Sequence, residues 1–185
     1  MISVPFGLIN LRGPKGYGII LEDQKLKDNT VGSRSQNESA YIAGFLDGDG
    51  SLMIQIKKRS DSKKGIRVML TICFYQDTRH EKPLLWIRKV LGIGYISRRN
   101  DGMTELRING FAQVEKVLKI LMPFIKFKKI QAKAILDSAK LLQNDFGGKT
   151  RWKILNHILL VQQENYASRK KKSKTELLKL LDLTP

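Results

Sequence analysis

Cysteine, acidic residues and long apolar runs are all scarce in this chain. Cys73 is the one cysteine among 185 residues. A single thiol can build neither an internal disulfide framework nor a cysteine-rich zinc site, and it indicates a reducing compartment. No apolar run reaches the roughly 18 residues that a membrane-spanning helix needs. The sequence therefore excludes a disulfide-stabilised scaffold, and it predicts no membrane-spanning helix.

Basic residues outnumber acidic residues two to one. The chain has 34 Lys and Arg against 17 Asp and Glu, which gives a net charge of +17. Such an excess attracts polyanions, so nucleic acid is the first partner to consider. A basic ribosomal protein or a membrane-surface protein would have a similar charge. The hydrophobic content of 42% is sufficient for the core of one domain.

Residues 1–37 differ in composition from the rest of the chain. They hold five of the 15 glycines, five basic residues and three acidic residues. They show no helical or strand periodicity and no continuous apolar segment of the kind found in secretory signals. We therefore predict a loosely ordered leader over residues 1–37 and a folded domain over residues 38–185.

Residues 39–51 combine a short amphipathic helix with a glycine-rich end. Asn37 or Ser39 can cap this helix, and Gly48 or Gly50 can end it. Small residues at positions 43, 44 and 48 leave one helix face almost without side chains, so another helix could approach it closely.

Two aspartates, Asp47 and Asp49, lie at the C-terminal end of this predicted helix. That end of a helix carries partial negative charge, so carboxylates there are unfavourable unless a cation is present. The placement indicates a divalent-metal site, although Asp-Gly pairs are also ordinary turn residues. An EF-hand is excluded because its required glycine and glutamate positions hold Leu52 and Lys58.

Alternating apolar and polar residues predict two hairpins. The first has strands over residues 52–59 and 66–75, and one of its faces carries cations, an amide, a hydroxyl and apolar groups. That mixture is suited to reading base edges in a DNA groove, although a solvated sheet face has a similar composition. The second hairpin covers residues 94–108, with a turn at 100–102.

Helical segments separate and follow the hairpins. Pro83 can open a helix that Gly92 ends, and Pro123 stops another that covers residues 114–121. Later helices are predicted at residues 131–142, 152–162 and 177–181. The predicted order is helix, hairpin, helix, hairpin, helix, followed by helical additions.

The segment Tyr41-Ile42-Ala43-Gly44-Phe45-Leu46-Asp47-Gly48-Asp49-Gly50 resembles the signature of the LAGLIDADG homing endonucleases. The resemblance continues over about residues 38–144, and the predicted element order agrees with it. It implies an α+β chain with the αββαββα homing-endonuclease fold, a saddle-shaped antiparallel sheet and extra C-terminal helices. Residues 38–144 would form the endonuclease core and residues 145–185 a helical extension.

The motif occurs once, which implies the single-motif branch that acts as a homodimer on a long, near-palindromic double-stranded DNA site. In similar enzymes the motif helix forms the subunit interface, here at Ala43, Gly44, Asp47 and Gly48. The resemblance also implies Mg²⁺ or Mn²⁺ bound by Asp49 and the Gly48 carbonyl, with hydrolysis of a phosphodiester in each strand. Asp47 is expected to support structure more than to bind metal.

Three further residues match catalytic positions of the family. Gln76 matches the polar residue near the attacking water, and Lys128 matches the lysine beside the scissile phosphates. His80 occupies a position where relatives often have Arg or Lys, and its neighbours Arg79 and Lys82 are alternatives for that role.

The outward strand positions resemble the groove-facing residues of the family. Ser97 stands where relatives often carry a cation. Lys63, Lys64, Lys170 and Lys171 are expected to contact phosphates, which position a protein without specifying sequence. The predicted DNA-reading residues are Met53, Gln55, Lys57, Arg59, Arg67, Met69, Thr71, Cys73, Arg99, Glu105 and Arg107.

Two alternatives on the same fold stay open: an RNA-splicing maturase that binds intron RNA, and a non-cleaving DNA-binding module. The family's habit of residing in organelle introns implies a chloroplast or mitochondrion, with a bacterial cytoplasm as the alternative. No membrane partner is expected.

Overall fold

The computed structural model describes residues 31–58, 65–165 and 171–183. The order of helix, hairpin, helix, hairpin, helix is confirmed, and three more helices follow. A single 3₁₀ turn, Thr78–His80, joins the first hairpin to the second helix. The elements are α1 Val31–Asp49, β1 Gly50–Lys58, β2 Ile66–Asp77, α2 Lys82–Leu91, β3 Tyr95–Arg98, β4 Met103–Asn109, α3 Phe111–Leu121, α4 Lys129–Asn144, α5 Gly148–Glu164 and α6 Lys174–Leu180.

The first helix starts earlier than predicted. α1 begins at Val31, so neither Asn37 nor Ser39 caps it. Ser39 is buried, and its hydroxyl donates a hydrogen bond of 2.9 Å to the Ser35 carbonyl. A hydroxyl that bonds to a carbonyl within its own helix can continue the helix instead of capping it. α1 therefore takes in residues 31–37 of the predicted leader, and residues 1–30 lie outside the described residues.

Glycines mark the turns between elements, as predicted. α1 changes into β1 at Gly50, where an added Cβ would lie 2.7 Å from the Leu46 carbonyl oxygen. Gly92 follows α2 with φ of 65°, and Gly102 takes φ of 79° in the second hairpin turn. Residues other than glycine rarely adopt this left-handed region. At these three positions the backbone therefore requires glycine.

The four strands form one antiparallel sheet in the order β1-β2-β4-β3. The register places Leu52 opposite Ile72, and Ile72 opposite Ile108, so apolar residues form rows across one face. This face packs against α1, α2, α3 and α4 and is buried. Its core includes Ile42, Leu46, Leu70, Phe74, Leu84, Ile87, Leu106, Val114, Leu118, Leu121 and Ile135.

The two C-terminal helices build a second apolar cluster. Its fully buried members are Ile154, Leu155, Leu177 and Leu181, and Ile54, Ile56 and Ile66 of the first hairpin pack against it. Arg151 joins the two helices, because its Nη1 donates to the Leu181 carbonyl oxygen at 2.9 Å. In the part of the chain that the structure describes, no helix is long and apolar enough to cross a membrane.

The interface between α4 and α5 contains a titratable group. His157 is half-buried, and its Nδ1 lies 2.8 Å from the hydroxyl of the buried Ser138. Burial lowers the pKa of His157 below its ordinary value of 6.5; Asp137 raises it and Lys153 lowers it further. The folded state therefore favours the neutral imidazole.

This burial predicts a pH-dependent stability. As pH falls below the pKa of an unfolded histidine, the unfolded chain gains a proton that the folded protein resists, so the free energy of unfolding decreases. We expect the urea midpoint of the native protein to fall between pH about 7.5 and about 5.5, and that of His157→Gln to fall less. His80→Gln replaces the other histidine of the chain, which is exposed, and serves as the control. Equal pH dependence in all three would contradict the prediction.

Candidate active site and nucleic-acid interface

The C-terminal end of α1 meets one end of the sheet. Asp49 is the last residue of α1, and Gly48 and Asp49 are both exposed. β1 starts at Gly50, which pairs with Phe74 of β2. Gln76 lies two residues beyond this pair on β2, so the Asp49 carboxylate and the Gln76 amide are at the same end of the sheet.

Asp47 joins α1 to the segment before α4. Its carboxylate accepts three backbone hydrogen bonds: Oδ2 from the N–H groups of Lys126 at 2.7 Å and Phe127 at 3.0 Å, and Oδ1 from that of Lys128 at 2.9 Å. Burial raises the pKa of Asp47, but these three N–H groups and the Lys128 ammonium lower it to a net value below the ordinary one. Its carboxylate is therefore committed to a contact within the chain.

Lys128 reaches back to the end of α1. Its Nζ donates to the backbone carbonyl of Asp47, and the carbonyl oxygen of Gly48 lies 3.5 Å away. Burial lowers the pKa of Lys128, while the nearby carboxylates of Asp47 and Asp49 raise it, and the net shift is downward. Lys128 thus places a cation against the negative end of α1 and near Asp49.

Three basic residues, Arg79, His80 and Lys82, follow β2 and are the candidates for the predicted basic group. Gln76 Oε1 accepts from the backbone N–H of Asp77 at 2.9 Å. The Arg79 guanidinium is paired with the Asp77 carboxylate at 2.8 Å. His80 and Lys82 are both exposed, and neither makes a hydrogen bond or ion pair with another described residue. The structure leaves these two side chains available.

The donors at this site suit a hard divalent cation. The Asp49 carboxylate and the Gly48 carbonyl supply oxygen ligands, which Mg²⁺ and Ca²⁺ prefer. Within residues 31–58, 65–165 and 171–183, no three His, Cys, Asp or Glu side chains form a group that could hold a metal ion. The chain therefore offers a partial site, which fits a metal that also binds water, phosphate oxygens or a second copy of the chain.

The face of the sheet opposite the core carries polar residues in cross-strand rows. Lys57 pairs with Arg67, Gln55 with Met69, and Met53 with Thr71. Lys57 and Arg67 are exposed, as is Arg99 just beyond β3. The predicted strand parity is therefore correct. Of the predicted DNA or phosphate contacts, Arg59, Lys63, Lys64 and Lys170 lie outside the described residues, and Lys171 is exposed.

Three of the predicted DNA-reading residues are not accessible on this face. Thr71 and Cys73 are 0% exposed and Glu105 is 1% exposed. The prediction that they present their side chains to DNA is wrong for this structure, because they lie on the two inner strands, where neighbouring side chains cover them. Thr71 instead donates to Asn109 Oδ1 at 2.7 Å. Burial raises the pKa of the Cys73 thiol to about 11.

Glu105 organises the arginines of this face. Its Oε1 accepts from Arg99 at 2.8 Å, and its Oε2 accepts from Arg107 at 2.5 Å. Burial raises the pKa of Glu105, but the two guanidinium groups lower it to a net value below the ordinary one. The buried carboxylate is therefore ionised and holds both arginines in place.

Sequence reasoning missed four polar residues on this face. The Ser51 hydroxyl lies 2.9 Å from the Tyr75 hydroxyl, and Asn109 Nδ2 donates to the Tyr95 hydroxyl at 3.1 Å. The alternation of residues along the strands predicts their position, because all four lie on the same sheet face as the predicted DNA-reading residues. Of the two tyrosines, Tyr95 is the more exposed, at 48%.

The α1 surface opposite the core is bare. Gly44 and Gly48 are exposed, and a Cβ added to either would meet no atom of the described residues within 4 Å. Ala43 is wrongly predicted to lie at a subunit interface. It is 0% exposed in the core, because it lies on the same helix face as Ile42 and Leu46.

Comparisons with known proteins agree with this geometry. The family described as LAGLIDADG endonuclease matches residues 42–144. The chain is similar to the DNA endonuclease I-CvuI of Chlorella vulgaris, with 37% identity over 109 residues, which are 59% of this chain and 68% of that protein. It is also similar to the DNA endonuclease I-CreI of Chlamydomonas reinhardtii, with 32% identity over 96 residues, 52% of this chain and 58% of that protein.

The fold matches a solved homing endonuclease. The crystal structure of I-CvuI in complex with its target in the presence of 2 mM Ca superposes with a TM-score of 0.74 and 28% identity, covering 82% of this chain and 99% of that chain. The sequence contains one copy of the motif, and residues 41–49 of that copy lie in α1. The chain belongs to the LAGLIDADG endonuclease family, in its single-motif branch.

Proposed function

We propose that this protein is a site-specific double-strand DNA endonuclease that acts as a homodimer on a long, near-palindromic site by metal-dependent phosphodiester hydrolysis. The observation that carries the proposal is the position of the Lys128 ammonium at the end of α1, where it donates to the Asp47 carbonyl and lies 3.5 Å from the carbonyl oxygen of Gly48, the residue before the exposed Asp49. This helix end lies at one end of a sheet whose open face presents Lys57, Arg67 and Arg99. The candidate active site therefore adjoins the sheet that carries these cations.

The open sheet face supports binding in a DNA groove. Gln55 supplies an amide, Met53 and Met69 supply apolar surface, and Arg99 and Arg107 supply guanidinium forks that match guanine. The exposed cations at the far end of the first hairpin are suited to phosphates, which contribute affinity without sequence information. The surface therefore combines both kinds of contact that site-specific binding requires.

The bare face of α1 supports the homodimer. A second α1 could approach Gly44 and Gly48 closely, because no side chain of the described residues covers them. A two-fold axis between the two helices would bring one Asp49 from each copy to the centre of the DNA site. Two strands could then be cut from two identical partial metal sites.

The chemistry assigned to each residue follows from its position. Asp49 and the Gly48 carbonyl would hold Mg²⁺ or Mn²⁺, which when bound activates water and offsets charge on phosphate oxygens. Lys128 places a positive charge where negative charge develops on the scissile phosphate. The Gln76 amide orients the attacking water, and His80 supplies the polar group that follows β2. Asp47 supports this arrangement through its backbone contacts.

We also propose the boundaries and the compartment. The folded unit takes in α1 from Val31 and extends through the C-terminal helices. An organelle, chloroplast or mitochondrion, is proposed from the family's residence in organelle introns and from the algal source of its relatives.

Replacing Asp49 tests the reaction. Asp49→Asn removes the charge that a metal requires but keeps the shape of the side chain, so we expect cleavage to be lost and DNA binding to be kept. The measurement is a cleavage selection with Mg²⁺ on randomised duplexes, followed by binding of the selected site. Recovery of a long, near-palindromic cut site from the native protein only is the expected result.

Two outcomes of this selection would contradict the proposal. Loss of DNA binding in Asp49→Asn would make the residue structural. A native protein that binds duplexes without cutting any would favour the non-cleaving module, and preference for intron RNA over duplex DNA would favour the maturase.

A larger side chain at Gly44 tests the dimer. Gly44→Leu adds bulk to an open face and should push the two α1 helices apart, while the monomer stays folded because leucine favours helix more than glycine. We expect the mass measured by analytical ultracentrifugation to shift toward the monomer. Gly148→Leu places the same change at an open position of α5. An unchanged dimer in Gly44→Leu would place the interface elsewhere.

Neutralising Glu105 tests the DNA-binding face. Glu105→Gln leaves Arg107 without its carboxylate, whereas Arg99 keeps Asp101 at 2.5 Å. One more free cation should tighten binding to any duplex and steepen the dependence of log K on log salt by about one unit. Glu115→Gln makes the same charge change on α3 and is the control for fluorescence-anisotropy titrations. Identical salt slopes in the two variants would contradict the prediction.

A further inference from the structure

The segment before α4 depends on Asp47. α3 ends at Leu121, and its carbonyl accepts from Phe124 at 2.9 Å and from Ile125 at 3.1 Å. The next three N–H groups, those of Lys126, Phe127 and Lys128, donate to the Asp47 carboxylate alone. Lys128 precedes α4 and has no side-chain capping bond of its own. Asp47 thus satisfies three consecutive backbone donors of the segment that leads into α4.

Lys128 is bound at both ends by the last turn of α1. Its backbone N–H donates to Asp47 Oδ1 at 2.9 Å, and its Nζ donates to the Asp47 carbonyl. The Nζ also lies 5.4 Å from the centre of the Phe127 ring. The Asp47 carboxylate holds the backbone of Lys128, and the Asp47 carbonyl holds its ammonium. Lys128 therefore stays at the end of α1.

We propose that Asp47 is a positioning residue for Lys128: its carboxylate holds the backbone of Lys126, Phe127 and Lys128 so that the Lys128 ammonium stays beside Asp49. This inference rests on the proposed function, because it assigns to Lys128 a place near the scissile phosphate. It separates the two aspartates of the motif by role. Asp49 would bind the metal beside the DNA, whereas Asp47 binds backbone N–H groups of its own chain.

The geometry explains why a carboxylate is required. Three N–H donors need two acceptor oxygens, which Asp supplies and Asn does not. In Asp47→Asn the side-chain NH₂ would face an N–H donor, so at least one backbone donor would lose its partner. Asp47 is only partly buried and lies outside the apolar core. Loss of this hydrogen bond should therefore loosen residues 126–128 locally and leave the core unchanged.

The first test separates positioning from folding by a double-mutant cycle. In single-turnover cleavage of the selected DNA site, Asp47→Asn should lower the rate roughly 100-fold, the effect of a misplacement of about 1 Å, while the Kd for DNA stays unchanged. In a Lys128→Met background, Asp47→Asn should cause no further loss, because the group that it positions is absent. Equal losses in both backgrounds would overturn the proposal.

A matched control is present in the chain. Asp145 Oδ2 accepts from the Gly147 backbone N–H at 2.8 Å just before α5, so Asp145→Asn makes the same change at another carboxylate that accepts from a backbone N–H before a helix. We expect this variant to cut DNA at the native rate. A loss equal to that of Asp47→Asn would show that any loosened helix start slows cleavage, which would also overturn the proposal.

A second measurement does not depend on cleavage. Hydrogen exchange of the amides of residues 126–128 should be roughly 10-fold faster in Asp47→Asn than in the native protein, with α1 and the interior of α4 unchanged. Unchanged exchange would overturn the role of Asp47 in holding the segment. If the native protein cut no DNA but this exchange increased as expected, the proposed function would fail while the contact itself would stand.

Discussion

Three backbone N–H groups converge on the Asp47 carboxylate, at distances of 2.7, 3.0 and 2.9 Å, and the arrangement of the site depends on this contact. Helix ends leave N–H groups at one terminus and carbonyl groups at the other without partners. Here Asp47 satisfies three N–H groups of the segment just before α4, and the Lys128 ammonium lies against the Asp47 and Gly48 carbonyls at the end of α1. These contacts keep the Lys128 ammonium at the end of α1, next to the Asp47 and Gly48 carbonyls.

One face of α1 packs in the core and another is exposed, and the motif supplies the residues of both. Ile42 and Leu46 are 0% exposed and pack under the sheet, which fixes the direction of the helix. Gly44 and Gly48 leave the opposite face bare. A bare face costs little in a helix whose other side is held by a core, and it permits the close helix contact that a homodimer around a two-fold axis requires. The same turn of the helix then presents Asp49, so the proposed dimer surface and the proposed metal ligand are neighbours on α1.

The open face of the sheet is a connected polar network rather than a set of separate cations. Glu105 is 1% exposed yet ionised, because Arg99 and Arg107 donate to its two oxygens. A buried carboxylate that is satisfied in this way orders the guanidinium groups before any ligand arrives. Thr71 is likewise tied to Asn109 by a hydrogen bond of 2.7 Å. The exposed polar residues of this face are therefore supported by buried ones.

Local sequence patterns were sufficient for the order of elements, the end of α2 at Gly92 and the position of Asp49, because strand and helix periodicities are written within about a dozen residues. The start of α1 at Val31 was missed, since that part of the helix has no apolar period. Only the tertiary structure decided that Thr71 and Glu105 are covered and that Asp47 binds a segment about 80 residues away. Burial and partner choice depend on which strands and helices are brought side by side, and no local pattern contains that information.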